Sequence, residues 1–345
     1  MPYSRILVRA ANWVGDAVMS LPALRALRSR HRNAQLSVLA MPWVQDLYAR
    51  EPFADEILPY TAPRGVRGIR DKLAVASDLR SRNFDCAVLL PNSFDSALVA
   101  WLAGIPERIG YSRDGRAPLL TRAIPPPKKG AIPAHESYYY LELMRRAGWI
   151  ENLPDKVSIQ LDGAAAAAGL GRVRLEQEGL SGHVIGVSPG AAYGTAKRWP
   201  PERFAAAAAK VAAALDAAVA LFGSRQEQPL CEQVRQSLDG KVRHVRNFAG
   251  QTSLGEFIEL AASCRAFLTN DSGAMHIAAA LGVPTVAVFG ATDHAATGPA
   301  GPRALVVREL VDCSPCLLRE CPIDHRCMWR VTAERVAEAA LDLLK

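Results

Sequence analysis

The segment from Phe267 to Gly290, FLTNDSGAMHIAAALGVPTVAVFG, constrains the fold more than any other part of the chain. Its two ends are short apolar runs typical of buried strands, and the alanine-rich stretch between them is typical of a helix that ends at Gly282. A strand, a helix and a second strand in this order form one βαβ unit, whose strands lie parallel. We therefore predict an α/β fold with a parallel sheet covered by helices.

Four small residues, Asn270, Asp271, Ser272 and Gly273, lie between the first strand and the helix of this segment. Such residues cap a helix and leave its first backbone N–H groups free, and that end of a helix attracts anions. His276 follows one helical turn later, so we expect its ring to face the same opening. Two interpretations stay open at this point: a site for a diphosphate or for sugar hydroxyls, or a capped helix with His276 packed in a core.

Strands and helices alternate along the rest of the chain as well, which predicts doubly wound parallel sheets. A chain of 345 residues is too long for one ordinary core and favours two such domains. Ligands of this fold bind at the C-terminal ends of the strands, so we expect the two domains to face a central cleft. The predicted divisions are an N-terminal domain at 1–155, a linker region at 156–182, a C-terminal domain at 183–330 and a final helix at 331–345.

Some local predictions depend on single residues or short runs. Pro22 is expected to kink or divide the first helix because proline cannot donate a backbone hydrogen bond. Residues 66–82 have a helical pattern, and KVRHV at residues 241–245 has the pattern of a strand. The segment 113–133 has no regular period and is predicted to be a mobile surface loop.

The formal charge of +7 arises mainly in the first half of the chain, in two basic clusters. Such clusters favour phosphate-bearing or acidic partners, including an anionic membrane surface, although a solvated face is the alternative. Aromatic residues do not alternate with the basic ones, so we expect no nucleic-acid partner. The clusters consist of Arg64, Arg67, Arg70 and Lys72, and of Arg113, Arg116, Arg122, Lys128 and Lys129.

The sequence contains neither a membrane-spanning run nor a secretory signal. No apolar run reaches the roughly 18 residues that a spanning helix needs, and the N-terminus begins with a predicted strand. We therefore expect a cytoplasmic protein with reduced cysteines. Cys313, Cys316, Cys321 and Cys327 have the spacing C-x2-C-x4-C-x5-C, which resembles a metal knuckle without matching a standard zinc pattern. Thiols that pack a loop are the favoured interpretation, with a structural zinc and disulfides as alternatives.

Two loops that follow predicted strands carry candidate catalytic and phosphate-binding groups. In the first, Asp16 next to Gly15 is placed for general-base work, although Asp16 could instead cap the next helix. The second runs from Ser188 to Pro200. Its hydroxyls belong to Ser188 and Thr195, and its charges, on Lys197 and Arg198, can neutralise phosphate. A structural turn with a surface lysine is the alternative there.

A third loop, GSRQE, ends at Glu227, which could accept hydrogen bonds from ribose or could simply begin a helix. No G-x-G-x-x-G fingerprint follows any predicted strand, which argues against NAD or FAD. The Ser188–Pro200 loop does not match a Walker loop, and no Asp-x-Asp pair lies in a plausible loop. We therefore expect no required cofactor or metal.

Four motifs along the chain carry a resemblance to known proteins. In chain order they are NWVGDAVMSLPALRALR, SPGAAYGTAKRWPPERF, LTNDSGAMHIAAALGVPTVAVFG and CSPCLLRECPIDHRCM. Taken together and in this order, they resemble the ADP-heptose:lipopolysaccharide heptosyltransferases of glycosyltransferase family nine, most closely their type II members, and the similarity spans nearly the whole chain. The resemblance implies a GT-B fold with two Rossmann-like domains, ADP-heptose as donor, a lipid A-linked inner-core saccharide as acceptor, and peripheral action at the cytoplasmic face of the inner membrane.

The resemblance also implies roles for individual residues. Asp16 matches the proposed catalytic base, Lys197 the diphosphate-binding lysine, Glu227 a ribose-binding acid, and Thr252 a position beside the adenine. The complete predicted donor site consists of Gly15, Ser188, Thr195, Lys197, Arg198, Glu227, Thr252, Asp271, Ser272, Gly273, Ala274 and His276. The residues expected to contact the acceptor are Asn12, Arg113, Arg116 and Arg122.

These roles predict an inverting transfer in which Asp16 deprotonates a heptose hydroxyl of the acceptor as it attacks the donor. Other functions stay open as alternatives. They are heptosyltransferase I or another family-nine transferase, a nucleotide-sugar epimerase or hydrolase on the same fold, and a non-enzymatic sensor of nucleotide sugars.

Overall fold

The computed structural model describes residues 3–61 and 68–345, and the chain separates into two compact units, 1–157 and 158–345. Each unit contains one six-stranded parallel sheet with flanking helices, so the predicted doubly wound α/β class is confirmed. Among the described residues, no helix is both long enough and apolar enough to cross a bilayer.

The first unit begins with a strand at the centre of its sheet. The strand order is β3-β2-β1-β4-β5-β6, so the chain first moves outward on one side of β1 and then returns to its other side. The reversal of order between β1 and β4 creates the crevice at which such sheets bind ligands. The strands are β1 (Arg5–Arg9), β2 (Gln35–Ala40), β3 (Glu56–Pro59), β4 (Cys86–Leu89), β5 (Glu107–Tyr111) and β6 (Arg122–Ile124). The helices are α1 (Val14–Arg30), α2 (Gln45–Tyr48), α3 (Ile69–Ser81), α4 (Phe94–Leu102) and α5 (Glu136–Arg146).

The second unit repeats this topology. Its strand order is β9-β8-β7-β10-β11-β12, and the reversal lies between β7 and β10. The strands are β7 (His183–Ser188), β8 (Ala217–Leu221), β9 (Val245–Asn247), β10 (Ala266–Asn270), β11 (Thr285–Phe289) and β12 (Ala304–Arg308). The helices are α6 (Ala164–Gln177), α7 (Pro201–Leu215), α8 (Gln228–Leu238), α9 (Leu254–Ala262), α10 (Gly273–Ala280), α11 (His294–Thr297), α12 (Arg326–Trp329) and α13 (Ala333–Asp342).

Small residues allow the helices of the second unit to pack closely. The alanines of α7 lie in a core with Trp199 and Phe204, whose rings meet edge to face. Helix α6 packs on α9 at Gly171, where an added Cβ would lie 1.9 Å from the backbone oxygen of Glu259. This packing explains why part of the region 156–182, predicted to be a linker, is helical and belongs to the second unit.

Several local predictions differ from the structure. Pro22 does not divide the first helix, because it lies inside one continuous helix, α1, whose buried apolar residues offset the hydrogen bond that proline cannot make. The segment 113–133 is not simply a loop, because it contains β6, which pairs with β5. The strand predicted at 241–245 begins only at Val245, and β12 was not predicted. Of the helix predicted at 66–82, residues 66 and 67 lie outside the described residues, as do Arg64 and Arg67 of the first basic cluster.

Candidate active site

A buried amide holds together the switch point of the second sheet, which is the place between β7 and β10 where the strand order reverses. Asn270, the last residue of β10, donates through Nδ2 to the carbonyl oxygen of Pro189 at 2.7 Å. Its Oδ1 accepts a hydrogen bond from the backbone N–H of Trp199 at 3.0 Å. The loop between Pro189 and Trp199 is therefore attached at both of its ends to the C-terminal end of β10.

This attachment brings Lys197 to Asp271. The Lys197 Nζ lies 2.6 Å from Asp271 Oδ2, and the two side chains are only 12% and 5% exposed. The same carboxylate oxygen accepts hydrogen bonds from the hydroxyls of Thr292 at 2.5 Å and Thr297 at 3.5 Å. The ammonium also lies 4.8 Å from the centre of the Tyr193 ring. The predicted diphosphate-binding lysine and the predicted donor loop thus share one buried ion pair.

The N-terminus of α10 lies directly after Asp271. Ser272 is the N-cap, and its Oγ accepts a hydrogen bond from the Met275 N–H at 3.5 Å. Gly273 and Ala274 open the helix, where backbone N–H groups have no partner within the helix and the positive end of the helix dipole lies. His276, in the same helix, is buried.

Three other predicted donor residues lie at the same edge of the sheet. Ser188 is the buried last residue of β7, which pairs with β10. Thr195 is exposed and begins a short 3-10 turn that ends at Lys197. Arg198 donates to the Ala191 carbonyl at 3.4 Å, whereas its buried Nε has no hydrogen-bond partner among the described residues.

Glu227 begins a helix, which was the alternative interpretation of this residue, and it lies beside the loop that follows β7. It forms a capping box with Ser224, whose N–H and Oγ donate to Glu227 Oε2 at 2.8 and 2.9 Å. An added Cβ at Gly190 would lie 2.1 Å from Glu227 Oε1, so the carboxylate rests against the backbone that follows β7. Thr252, half-buried, lies just after Gly250, which donates to the Gly223 carbonyl at 2.9 Å.

In the first unit, Asp16 lies in the first turn of α1. The N-cap is Trp13, which makes no side-chain capping bond, so Asp16 is not the cap of this helix. Burial raises the pKa of Glu136, the first residue of α5, to about 7; the negative charge of Asp16 adds to this shift and Arg113 opposes it. The carboxyl groups of Asp16 on α1 and Glu136 on α5 therefore influence each other's charge.

A cavity of about 400 Å³ lies at the switch point of the first sheet. Its walls come from residues at or just after the C-terminal ends of β1, β2, β3 and β4. Trp13 and Trp43 are 60% and 53% exposed, and Trp43 Nε1 donates to the Asn12 carbonyl at 2.8 Å. The cavity is lined by Arg9, Asn12, Trp13, Met41, Trp43, Tyr60, Thr61, Ser93, Asp95 and Ser96.

The sequence profile of glycosyltransferase family 9 (heptosyltransferase) matches residues 72–326, which is most of the chain. The chain belongs to glycosyltransferase family 9. Lipopolysaccharide heptosyltransferase 2 of Escherichia coli is 34% identical over 314 residues, with 88% of each chain covered. Lipooligosaccharide heptosyltransferase 2 of Haemophilus ducreyi is 32% identical over 352 residues, with 99% of each covered.

A solved structure agrees with this assignment. The structure of E. coli ADP-heptose lps heptosyltransferase II superposes with a TM-score of 0.83 at 33% identity, covering 99% of this chain and 98% of that one. The family assignment and the GT-B type of fold predicted from the sequence motifs are therefore confirmed, and this family-9 chain is a glycosyltransferase.

The predicted acceptor residues of this family-9 chain differ in their surroundings, and Arg116 requires a correction. It is fully buried, donates through Nε to the Tyr111 carbonyl at 2.8 Å and through Nη1 to Ser96 Oγ at 2.9 Å, and also bonds the Pro91 carbonyl. Burial lowers the pKa of Arg116 to about 10. Arg116 therefore fastens the segment after β5 to the core and cannot reach a ligand.

The two other arginines are accessible to different degrees. Arg122 lies on β6, pairs with Glu107 at 3.4 Å and donates to the Ala147 carbonyl at 3.0 Å. Arg113 is exposed. Of the three, Arg113 is therefore the arginine that remains most open to a ligand. Sequence reasoning did not select Arg9, Trp43 or Tyr60, although each lies at or within a few residues after the end of a predicted strand.

The cysteine-rich segment supports the loop that carries Lys197. The Ala196 N–H donates to the Arg319 carbonyl at 2.9 Å, His325 Nε2 lies 2.9 Å from the Ala196 carbonyl oxygen, and Tyr193 donates to the Leu317 carbonyl at 2.7 Å. Burial raises the pKa of Cys327 to about 11, and nearby cysteines add to this shift. Residues 3–61 and 68–345 contain no group of three Cys, His, Asp or Glu arranged to hold a metal.

Proposed function

We propose that this family-9 chain transfers heptose from ADP-L-glycero-D-manno-heptose to a heptose of the lipopolysaccharide inner core, with inversion at the anomeric carbon. The observation that carries the proposal is the cluster of Lys197, Asp271 and the N-terminus of α10 at the switch point of the second sheet. A buried cation beside a helix N-terminus is suited to a diphosphate. The name of the similar E. coli enzyme specifies ADP-heptose, and relatives of type 2 support transfer to the inner core.

The negative charge of the donor's diphosphate would be shared among several hydrogen-bond donors of the second unit. Lys197 is already paired with Asp271, so the diphosphate must share the ammonium with that carboxylate. The N–H groups of Gly273 and Ala274 and the unsatisfied Nε of Arg198 are further donors. Glu227 would bind ribose hydroxyls through the oxygen that faces Gly190, and Thr252 would lie beside the adenine.

Asp16 would act as the general base. As the acceptor oxygen forms its bond to the anomeric carbon, its proton passes to Asp16, and the bond between that carbon and the departing ADP oxygen breaks. The negative charge on ADP is then stabilised by Lys197 and the α10 N–H groups. One displacement with one base inverts the anomeric centre.

The acceptor saccharide would occupy the cavity at the switch point of the first sheet. Exposed indole rings present flat apolar faces to the C–H groups of a sugar, while Asn12 and Ser93 offer hydrogen bonds. No step of this mechanism requires a cofactor, and the cysteine-rich segment acts as support. We place the protein at the cytoplasmic face of the inner membrane, where a lipid A-linked acceptor would be met, without a nucleic-acid partner.

A transfer assay tests the proposal directly. ADP-heptose is incubated with inner-core acceptors that carry zero, one or two heptoses, and products are identified by mass spectrometry. Addition only to the acceptor with one heptose supports type II transfer. Addition to the acceptor without heptose indicates a type I enzyme, while conversion of ADP-heptose alone at the same rate indicates an epimerase or a hydrolase.

The base is tested with a matched pair of variants. Asp16→Asn should lower kcat about a thousandfold with little change in ADP affinity, because general-base catalysis contributes roughly 10²–10⁴ in rate. Asp71→Asn is the control, since Asp71 also lies in the first turn of a helix but is exposed on α3. Loss of ADP binding in Asp16→Asn, or equal loss of rate in both variants, would contradict the assignment.

A further inference from the structure

The two units differ completely in net charge. Residues 1–157 contain 22 Lys and Arg against 15 Asp and Glu, whereas residues 158–345 contain 19 of each. The first unit thus carries the entire formal charge of +7. An anionic surface would attract the first unit and not the second.

The first unit also exposes large apolar side chains on two adjoining helices. On α3, Ile69 and Leu73 are one turn apart and are 45% and 49% exposed; on α4, Phe94 and Trp101 are two turns apart and are 45% and 49% exposed. Side chains at these spacings lie on one side of a helix. We call these four residues the α3/α4 face.

The two helices are joined at both ends. At one end Lys72 Nζ lies 2.8 Å from Asp95 Oδ1, and at the other Arg80 donates to the Leu102 carbonyl. Arg80 has nearly the same helical phase as Ile69 and Leu73, so this side of α3 is turned towards α4. The exposed apolar residues of the two helices therefore belong to one continuous surface.

The charges on α3 are distributed unevenly around this surface. Arg70 is exposed next to Ile69. Asp71 lies on the far flank of the helix from Leu73 by helical phase, as does Asp78, whose carboxylate is 3.0 Å from Arg82 Nε. The acidic groups thus point away from the apolar residues.

We propose that the α3/α4 face docks on an anionic lipid bilayer. Apolar side chains would enter the headgroup region while the positive unit is attracted to the lipid phosphates, the combination that binds interfacial helices. This inference rests on the proposed function, because a lipid-linked acceptor gives a reason for the docking. The difference in net charge between the two units favours an anionic bilayer over a second copy of the chain at this face, since two copies of the positive unit would repel each other.

The test uses sedimentation of the full chain with vesicles of phosphatidylcholine alone or with phosphatidylglycerol at about one third. The native protein should bind the anionic vesicles and release them in high salt. Leu73→Gln/Trp101→Gln should bind about tenfold more weakly, because two half-exposed apolar side chains no longer enter the lipid. Leu170→Gln/Val173→Gln is the control, since these residues are similarly exposed on α6 of the neutral unit.

Three results would overturn the docking proposal. They are failure of the native protein to bind anionic vesicles, equal binding by the α3/α4 variant, and equal loss in the α6 control. Sedimentation velocity without lipid adds a fourth, because a native dimer that Leu73→Gln/Trp101→Gln converts to a monomer would assign the face to a second copy. A transfer assay with a delipidated acceptor keeps the two proposals distinct. Leu73→Gln/Trp101→Gln should retain transfer to this acceptor. Only a native protein that fails to transfer heptose to it would count against the proposed function.

Discussion

Replacing Lys197 by methionine should destabilise the second unit and weaken ADP binding for separable reasons. The substitution keeps the length of the side chain but leaves Asp271 as a buried carboxylate without its counter-charge. Breaking a buried ion pair from one side costs about 3–5 kcal/mol, and the hydrogen bonds from Thr292 and Thr297 place the expected loss near 3 kcal/mol. Loss of the cation above Tyr193 adds less than about 1 kcal/mol.

The double variant Lys197→Met/Asp271→Asn separates stability from binding. With both charges removed, no unpaired charge is left buried at this position, so the free energy of unfolding should return to within about 1 kcal/mol of the native value. ADP affinity should not return, because the cation that meets the diphosphate is still absent. Asp271→Asn alone should bind ADP at least as well as the native protein, since Lys197 no longer shares its charge with a carboxylate.

Urea unfolding followed by circular dichroism gives the free energies, and isothermal titration calorimetry gives ADP affinity. A loss below about 1 kcal/mol in Lys197→Met would refute the argument from the buried pair. Recovery of ADP affinity in the double variant would refute the assignment of Lys197 to the diphosphate, because stability alone would then explain the weaker binding.

Other substitutions test the remaining parts of the site. Asn270→Asp replaces the amide that donates to Pro189 by an acceptor, so the free energy of unfolding should fall by about 3 kcal/mol and the KM for ADP-heptose should rise more than kcat falls; an unchanged KM would show that the loop position does not depend on this bond. Glu136, with a pKa raised from 4.5 to about 7, stabilises the fold most below pH 4.5 and loses this contribution as the pH rises through 7. Urea unfolding at pH 5 and pH 8 should therefore show about 2.5 kcal/mol more loss in the native protein than in Glu136→Gln, and equal losses would contradict the shift. Arg116→Met leaves buried carbonyls without donors and should cost about 3 kcal/mol without raising the acceptor KM, whereas a raised KM in a stable variant would return Arg116 to the acceptor site.

The amino-acid sequence by itself determined the class of fold and the family. Continuous apolar runs of four to six residues bounded by turn residues are typical of buried strands, and helices between such strands favour parallel pairing. Local chemistry also indicated where α10 begins, because Ser272 and Gly273 after an apolar strand are residues that begin a helix. These features are set by neighbours in sequence, which is why periodicity and motif order were sufficient.

Secondary structure was predicted wrongly where the structure of a segment depends on partners that are distant in sequence. Strand β6 lies in a proline-rich stretch without a period of its own, and it forms because β5 offers an open edge. Strand β12 likewise completes the edge beside β11. Helix α6 has almost no amphipathic pattern, and it is held by close contact with α9 at Gly171. Alanine runs do not reveal which face will be buried.

Tertiary structure alone decided what the charged residues do. Arg116 and Arg113 are equivalent as members of a basic cluster, yet carbonyls contributed by separate strand ends bury the first and leave the second exposed. The pairing of Lys197 with Asp271 joins residues 74 positions apart, and no local signal specifies it. A charge is identified by the sequence, but its energy depends on which groups surround it, and that is settled only when the strands assemble.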